Sequence, residues 1–209
     1  MRDLLEEYRR KKPDIKKRLN EFRRVYKKSD KDIFAELCFC IFTPQAKAVL
    51  CDSAVKRLKA KGLLFKGASG DIRRCLSGVR FPNNKARYLI EARRVFKNGK
   101  QLGIKNKIDL KDLQKTRDWI AKYVKGVGYK EASHFLRNIG LGKDMAILDR
   151  HILKNLKRYG VIKKIPESLS RKEYIKIEER MRDFFKQLNI PMEEVDLLFW
   201  SRETGVIFK

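Results

Sequence analysis

Apolar residues recur at helical spacing over most of the chain. After Asp30, which can cap a helix, they follow the i, i+3, i+4 pattern of a buried helical face: Ile33, Phe34, Leu37, Cys38, Ile41 and Phe42. Alternating strand patterns are scarce, so the predicted fold class is all-α. Similar spacing predicts a helix between Pro44 and Gly62 and further helices over residues 2–12, 14–28, 70–77, 84–96, 109–124, 131–139, 170–188 and 191–205.

Proline, glycine and capping residues indicate where these helices begin and end. Pro13 separates the two charged N-terminal helices, and the Asn98-Gly99 pair is typical of a turn. Ser170, followed three residues later by Glu173, indicates a capping box. The chain has no internal repeat and no low-complexity linker. Any second domain must therefore be interleaved with the first.

The stretch VKGVGYKEASHFL, residues 124–136, predicts a helix end, a glycine-containing hairpin and a new helix. Glycines permit positive φ angles and the close approach of another backbone. Such a turn directs backbone N–H groups outward beside a helix N-terminus, which favours an anion such as a DNA phosphate. An ordinary glycine cap between helices is the alternative. The neighbouring Lys122, Lys125 and Lys130 favour the phosphate interpretation.

Two residues near this hairpin have the chemistry of an active site. Lys130 begins the second helix, where the helix dipole is unfavourable for a cation and favours the neutral amine that a nucleophile requires. An ordinary surface lysine is the alternative. Further along, Asp149 follows the apolar pair Ile147-Leu148 and precedes a helical run. It can cap that helix, and a fixed carboxylate can also stabilise a developing sugar cation or deprotonate a nucleophile.

Charge indicates the class of partner. Lys and Arg number 52 against 26 Asp and Glu, which gives a formal net charge of +26 among 209 residues. An excess of this size favours a polyanion such as nucleic acid. A highly charged thermophile surface is the alternative, but it should raise acids together with bases.

Composition also predicts what the protein lacks. No apolar run reaches the roughly 18 residues of a membrane span, and the N-terminus has no apolar signal region. We therefore expect a cytoplasmic protein, with the nucleoid if prokaryotic, and no membrane contact. The 4 cysteines form no C-x-x-C pair and the chain has only 2 histidines. No metal, iron–sulfur cluster or other cofactor is expected, and nothing indicates an obligate oligomer, so we expect a monomer.

The order G-V-G-Y-K, apolar helix, L-D-R-H resembles the helix-hairpin-helix DNA glycosylase superfamily. GVGYKEASHFLRNIG, AILDRHIL and the final DLLFWSRETGVIFK are similar to the archaeal-type 8-oxoguanine DNA glycosylase/lyase family. The resemblance covers residues 31–209 and is strongest over 123–156. It implies an all-α fold with a six-helix barrel-like domain over 31–130 and a second domain built from 1–30 and 131–209. The active site would lie in the cleft between them.

The resemblance also implies an activity. The family removes 8-oxoguanine from double-stranded DNA in base excision repair after flipping the damaged base into the cleft. Lys130 matches the nucleophile that attacks the sugar, releases the base and forms a Schiff base, from which β-elimination cleaves the strand. Asp149 matches the carboxylate that assists displacement. The hairpin implied to bind DNA phosphate comprises Lys125, Gly126, Val127 and Gly128.

Further positions match the family's base pocket. Phe81 and Trp200 are implied to flank the flipped base, where stacking contributes roughly 1–3 kcal/mol. The terminal Lys209 is implied to approach the base. Core packing is the alternative for Trp200, and packing at a helix start is the alternative for Phe81. His134, one helical turn after Lys130, is a further candidate, with a structural histidine as its alternative.

One loop departs from the family pattern. FTPQAKAVL, residues 42–50, looks like the loop of the endonuclease III branch in which a glutamine fills the gap left by the flipped base. Gln45 is therefore a candidate wedge, with a plain helix N-terminus as the alternative. Two other functions stay open: an oxidised-pyrimidine glycosylase/lyase and a non-catalytic DNA-binding module. The lack of a C-terminal four-cysteine cluster argues against the first, and the joint presence of Lys130 and Asp149 against the second.

Overall fold

The computed structural model describes every residue from Met1 to Lys209, and helices make up almost all of its regular structure. A two-residue antiparallel ladder, β1 (Lys97–Asn98) with β2 (Gln101–Leu102), closes around the predicted Asn98-Gly99 turn. The all-α prediction is confirmed by the helices α1 (Arg2–Val25), α2 (Asp30–Phe42), α3 (Ala48–Ala60), α4 (Leu63–Lys66), α5 (Ser69–Cys75), α6 (Pro82–Val95), α7 (Leu113–Tyr123), α8 (Tyr129–Asn138), α9 (Arg150–Arg158), α10 (Arg171–Gln187) and α11 (Met192–Thr204).

The predicted break at Pro13 is wrong, because α1 continues through it. Proline removes one backbone hydrogen bond, but Pro13 and Arg9, whose carbonyl loses its partner, are both exposed, so water can satisfy that carbonyl. One face of α1 is buried on both sides of the proline, and this packing outweighs the local penalty. The buried residues of that face are Leu4, Tyr8, Ile15, Leu19 and Phe22.

Several helix ends lie where the capping residues predict them. Ser170 Oγ accepts the N–H of Glu173 before α10, and α11 ends at Gly205 with a φ of 78°. Two predictions need correction. Ser29, not Asp30, caps α2. The α7 helix begins at Leu113 rather than near 109, so Leu110 precedes it and is exposed.

Two hydrophobic clusters form the core. The first is built from α2 to α8 and includes Ala132, Phe135 and Leu136 of α8. The second joins α1 to α9, α10 and α11. The first cluster therefore extends beyond residue 130, and the division into 31–130 and the two terminal parts stays a prediction.

Residues 140–149, which we call the return segment, connect α8 to α9. Met145 packs in the first cluster, and Ala146 and Leu148 pack in the second. The segment therefore brings the start of α9 beside α8, and both helix N-termini border one cleft. None of the helices has the combination of length and apolar composition needed to cross a membrane.

Candidate active site

The hairpin between α7 and α8, residues 124–128, is a tight turn that requires glycine. The N–H of Val127 donates to the carbonyl of Val124 at 3.1 Å. Gly126 has a φ of 81°, and a Cβ added there would lie 2.4 Å from Cδ2 of Tyr88. Both the backbone conformation and the close approach of the Tyr88 ring disfavour a side chain at this position.

Backbone donors in the hairpin differ in availability. The N–H groups of Lys125 and Gly126 have no acceptor within the protein. Val127 donates within the turn, and the N–H of Gly128 donates to Oε2 of Glu131 at 3.1 Å. Of the residues predicted to bind phosphate, Lys125 and Gly126 thus have free backbone donors, and Lys125 also has an exposed side chain.

Lys130 is the second residue of α8 and lies in an ion pair. Its Nζ is 2.7 Å from Oε1 of Glu131, the same carboxylate that accepts the Gly128 N–H. The Glu131 carboxylate places a negative charge directly beside the amine at this helix N-terminus. Glu131 therefore links the hairpin to the amine. Sequence reasoning missed this role, although Glu131 is the third helical residue, where a capping carboxylate is common.

Asp149 has the capping role that the sequence predicts. Its Oδ1 accepts the N–H of Ile152 at 2.8 Å at the start of α9. The positive end of the helix dipole stabilises a negative charge there. The carboxylate is thereby fixed in position, and its second oxygen is left for another partner.

A cleft of about 970 Å³ brings most of the predicted site residues together. Basic side chains, including Lys47, Arg80 and Arg150, give its wall an excess of positive charge. The hairpin lies outside the cleft wall. The sequence-predicted residues that line it are Gln45, Lys130, His134, Asp149, Trp200 and Lys209.

Phe81 does not line the cleft. It precedes α6 with a φ of 57°, its ring is exposed, and the guanidinium of Arg80 lies 4.9 Å from the ring centroid. Because Arg80 does line the cleft, the aromatic ring lies near the rim rather than against the interior.

The C-terminal residue is held in the cleft wall. Nζ of Lys209 lies 2.7 Å from Oδ1 of Asp52 and 3.1 Å from Oε1 of Glu36. It also lies 4.8 Å from the ring centroid of Phe39. Arg18 donates from Nε to the carbonyl of Phe208 at 2.9 Å. The chain end is therefore docked by charged contacts from α1, α2 and α3.

The cleft floor contains buried charged groups. His134 packs edge-on against Phe39, and burial, with Arg137, Lys130 and Lys209 nearby, lowers its pKa well below the ordinary value. Arg137 pairs with Asp196 at 3.0 Å. Burial raises the pKa of Asp196, and Arg137 opposes that shift. Sequence reasoning missed Arg137, although its i+7 spacing from Lys130 places both on one helical face.

A buried lysine holds the loop that carries Gln45. Nζ of Lys85 donates to the carbonyls of Phe42 and Pro44 at 2.6 and 2.8 Å. Burial lowers the pKa of Lys85. Gln45 is exposed at the cleft and has a φ of 54°, which is uncommon for a residue with a side chain. Nothing in the sequence distinguishes Lys85 from the many surface lysines.

The acidic, histidine and cysteine side chains are dispersed rather than clustered. No group of three or more has a spacing that could hold a metal ion. The cysteines Cys38, Cys40, Cys51 and Cys75 are buried free thiols. Burial raises the pKa of Cys51 to about 11. This thiol is therefore protonated near neutral pH, and it packs as an apolar side chain.

Comparison with known proteins agrees with this geometry. The family described as 8-oxoguanine DNA glycosylase matches residues 15–190. A protein of Fusobacterium nucleatum named 8-oxoguanine DNA glycosylase/AP lyase is 45% identical over 204 residues, which cover 97% of this chain and 94% of that protein.

Two solved structures are similar over the whole fold. The 8-oxoguanine DNA glycosylase of Thermotoga maritima has a TM-score of 0.89 at 33% identity, covering 100% of this chain and 97% of that one. The Methanocaldococcus jannaschii 8-oxoguanine glycosylase/lyase, crystallised with a 15mer DNA containing 8-oxoguanine, has a TM-score of 0.88 at 35% identity and covers 99% of both chains. With its hairpin, its Lys130–Asp149 cleft and these matches, the chain belongs to the helix-hairpin-helix family of 8-oxoguanine DNA glycosylase/AP lyases.

Proposed function

We propose that this protein is a bifunctional base-excision-repair enzyme that removes 8-oxoguanine from duplex DNA and then cleaves the strand at the abasic site. The observation that carries the proposal is the shared cleft. Lys130 and Asp149, at the N-termini of two different helices, line the same cavity. The family supplies the substrate class, and these two side chains supply the chemistry.

The proposed reaction begins with the amine of Lys130. The ammonium first gives a proton to the paired carboxylate of Glu131, and the resulting neutral amine attacks the anomeric carbon of the sugar. The bond to the base breaks with its electron pair leaving on the base, which takes up a proton. Ring opening then gives a Schiff base between Nζ and the sugar. Loss of a proton from the adjacent carbon expels the 3′ phosphate by β-elimination, and hydrolysis releases Lys130.

Asp149 has a separate role in the proposal. Positive charge develops on the sugar as the base departs, and a fixed carboxylate stabilises it without reorganisation. Its hydrogen bond from Ile152 supports this role because it holds the carboxylate in place. Since the reaction uses an amine and a carboxylate and moves no electrons to an acceptor, it needs no metal or redox cofactor.

Recognition of the flipped base is assigned to the cleft wall. Trp200 offers an aromatic face for stacking, and Lys209 lies in the same wall. His134 on the floor is buried, and its lowered pKa supports a neutral imidazole. Gln45, on its strained loop, is the candidate wedge. Phe81 lies outside the cavity, and a role in stacking would require contact at its rim.

The surface around the cleft supports binding to the DNA backbone. The free backbone N–H and the side chain of Lys125, together with the free N–H of Gly126, suit one phosphate, while Val127 and Gly128 shape the turn. Because the Lys130–Asp149 pair comes from one chain, we infer that the enzyme acts as a monomer. A DNA substrate implies action at the nucleoid in a prokaryotic cell.

Borohydride trapping on a duplex with a single 8-oxoguanine tests the proposal. The native protein is expected to give a covalent adduct, because borohydride reduces the Schiff base to a stable amine. Lys130→Gln is expected to give none while still binding the duplex. Asp149→Asn is expected to slow base release by about 100-fold or more, the scale of losing one preorganised electrostatic group.

Other outcomes would redirect the proposal. An adduct only on oxidised-pyrimidine DNA would keep the chemistry and change the substrate. Release of 8-oxoguanine without an adduct would reject the lyase mechanism. An adduct that persists in Lys130→Gln would assign the nucleophile elsewhere.

A further inference from the structure

The return segment forms no helix or strand of its own, and near its end a side chain of α10 satisfies two of its backbone groups. The hydroxyl of Tyr174 donates to the carbonyl of Ala146 at 2.7 Å and accepts the N–H of Leu148 at 3.2 Å. Tyr174 is buried, and burial raises the pKa of its hydroxyl, which therefore stays a donor. Leu148 directly precedes Asp149.

A buried ion pair fixes the same segment from a second position. Oε2 of Glu178 accepts the N–H of Ala146 and Nη1 of Arg117, each at 2.7 Å. Oε1 of Glu178 accepts Nη2 of Arg117 at 2.9 Å. The side chains of Arg117 and Glu178 are 0% and 1% exposed.

The network continues to the helix that carries the nucleophile. Nη1 of Arg117 also donates to Oγ of Ser133 at 3.0 Å, and Ser133 lies on α8, less than one turn after Lys130. A continuous set of buried hydrogen bonds therefore joins the helix of Lys130 to the backbone just before Asp149.

Stability alone does not account for this arrangement. Burying an ion pair costs desolvation, and apolar side chains of similar volume often stabilise a core equally well or better. Charged and hydroxyl groups instead impose fixed distances and directions on the groups that they bond. Such constraints matter most where two side chains must meet in one reaction.

We propose that Tyr174 and Glu178 are positioning residues that set the placement of Asp149 relative to Lys130 through the backbone of Ala146 and Leu148. The inference rests on the proposed function, since it takes Lys130 and Asp149 as the reacting pair. Neither Tyr174 nor Glu178 lines the cleft. Their effect on the reaction is therefore indirect, and the hydrogen bonds to Ala146 and Leu148 are the shortest route to Asp149.

Tyr174→Phe tests the proposal with two separate assays. Without this hydroxyl, the carbonyl of Ala146 and the N–H of Leu148 lose their partner and Asp149 shifts, while Lys130 stays on α8. The single-turnover rate constant for release of 8-oxoguanine is expected to fall about 10- to 100-fold, the scale of a misplacement of about 1 Å. The apparent affinity for the duplex is expected to stay unchanged. Borohydride trapping on a preformed abasic site is expected to stay within about twofold, because it depends chiefly on Lys130.

Tyr8→Phe is the matched control. Tyr8 is also a buried tyrosine of the second cluster, and its hydroxyl donates to Glu194 at 2.8 Å, away from the return segment. It is expected to keep both rates. Glu178→Gln, which can still accept the N–H of Ala146, is expected to change the ratio of the two rates less than Tyr174→Phe does.

The outcomes separate the two proposals. Suppose that the native protein releases the base. If Tyr174→Phe then keeps both rates, or loses both in the same proportion as partial unfolding would, the positioning role is rejected and the proposed function stands. If Tyr174→Phe lowers the rate of base release relative to that of abasic-site trapping by the same factor as Asp149→Asn does, the positioning role is supported. If the native protein releases no 8-oxoguanine and forms no adduct, the proposed function fails, and the positioning role fails with it.

Discussion

The hairpin before α8 and the return segment after it each lead to one member of the reacting pair, yet they are held by different kinds of contact. The hairpin is closed by hydrogen bonds within residues 124–131, including the carboxylate of Glu131. The return segment also has short-range backbone bonds, but in addition it is held by three side chains of the distant helix α10. Tyr174 and Glu178 bond to its backbone, and Arg182 donates to the carbonyl of Asp144 at 3.0 Å.

This difference separates the two positions energetically. The geometry of Lys130 depends on local turn chemistry and on one helix N-terminus. The geometry of Asp149 depends on a buried network that exists only when α7, α8 and α10 are packed together. Substitutions in the network are therefore expected to affect global stability, and substitutions in the hairpin to act on a smaller region.

Arg117→Met should disrupt the buried network that holds the return segment, and we expect it to have the largest effect on stability. It removes the fully buried partner of Glu178 and leaves only the partly exposed Arg182, 3.8 Å from Oε1, as a cation. We expect a cost toward the lower end of the roughly 3–5 kcal/mol in the free energy of unfolding that breaking a buried ion pair costs. Arg171→Met is the matched control, because Arg171 pairs with Asp118 on the exposed surface. Its expected cost is below about 1 kcal/mol. Urea unfolding measures both, and equal losses would contradict a special role for the buried pair.

Gly126→Ala should strain the hairpin, and we expect it to have an intermediate effect on stability. The positive φ and the approach to Tyr88 together are expected to cost about 2–3 kcal/mol. Gly160→Ala is the matched control, since Gly160 has a φ of 75° with nothing within 4 Å of an added Cβ. Its expected cost is about 1 kcal/mol from backbone conformation alone.

The difference between these two alanine variants, again from urea unfolding, isolates the Tyr88 contact. The same loss in both would show that the ring moves aside without cost and that only the backbone conformation requires glycine in the hairpin.

The smallest expected effect concerns His134, which lies on α8 beside the cleft and contributes to the pH dependence of stability. Its pKa is lowered in the folded protein, so below its ordinary value of 6.5 the unfolded chain binds more protons. Stability therefore rises with pH up to about that value and is lost as the pH falls through it. Between pH 7 and pH 5.5 the loss from this group is about 1 kcal/mol.

His134→Leu should remove that part of the pH dependence. The measurement is the free energy of unfolding of both proteins at the two pH values. If the native protein and His134→Leu lose the same stability between pH 7 and pH 5.5, the histidine is not held neutral by the fold.

Short-range features of the fold could be read from the residues. The caps at Ser170 and Asp149, the turn at Asn98-Gly99 and the glycine hairpin all depend on hydrogen bonds or steric limits within a few positions. Helical spacing likewise predicted most helices. Pro13 is the clearest exception, because burial on both sides of it overrides its local preference.

The candidate site likewise contains some residues that the sequence predicts and others that it does not. Lys130 and Asp149 could be named from their positions after a hairpin and before a helix. Phe81 could be named by resemblance, but the structure places it outside the cleft. The roles of Lys85, Arg117 and Glu178 could not be foreseen, because among 52 basic and 26 acidic residues their burial has no signal at helical spacing.

Residue types and their spacing were enough to predict an all-α chain, a strongly basic protein, a glycine hairpin and two candidate reacting residues at helix N-termini. Packing between distant helices determines that these helix starts share one cleft and that Tyr174 and Glu178 hold the backbone before Asp149. The two kinds of feature differ in how far apart along the chain the interacting residues are. Turns and caps are set by neighbouring residues, whereas a buried polar group takes its partner from whichever distant element packs against it.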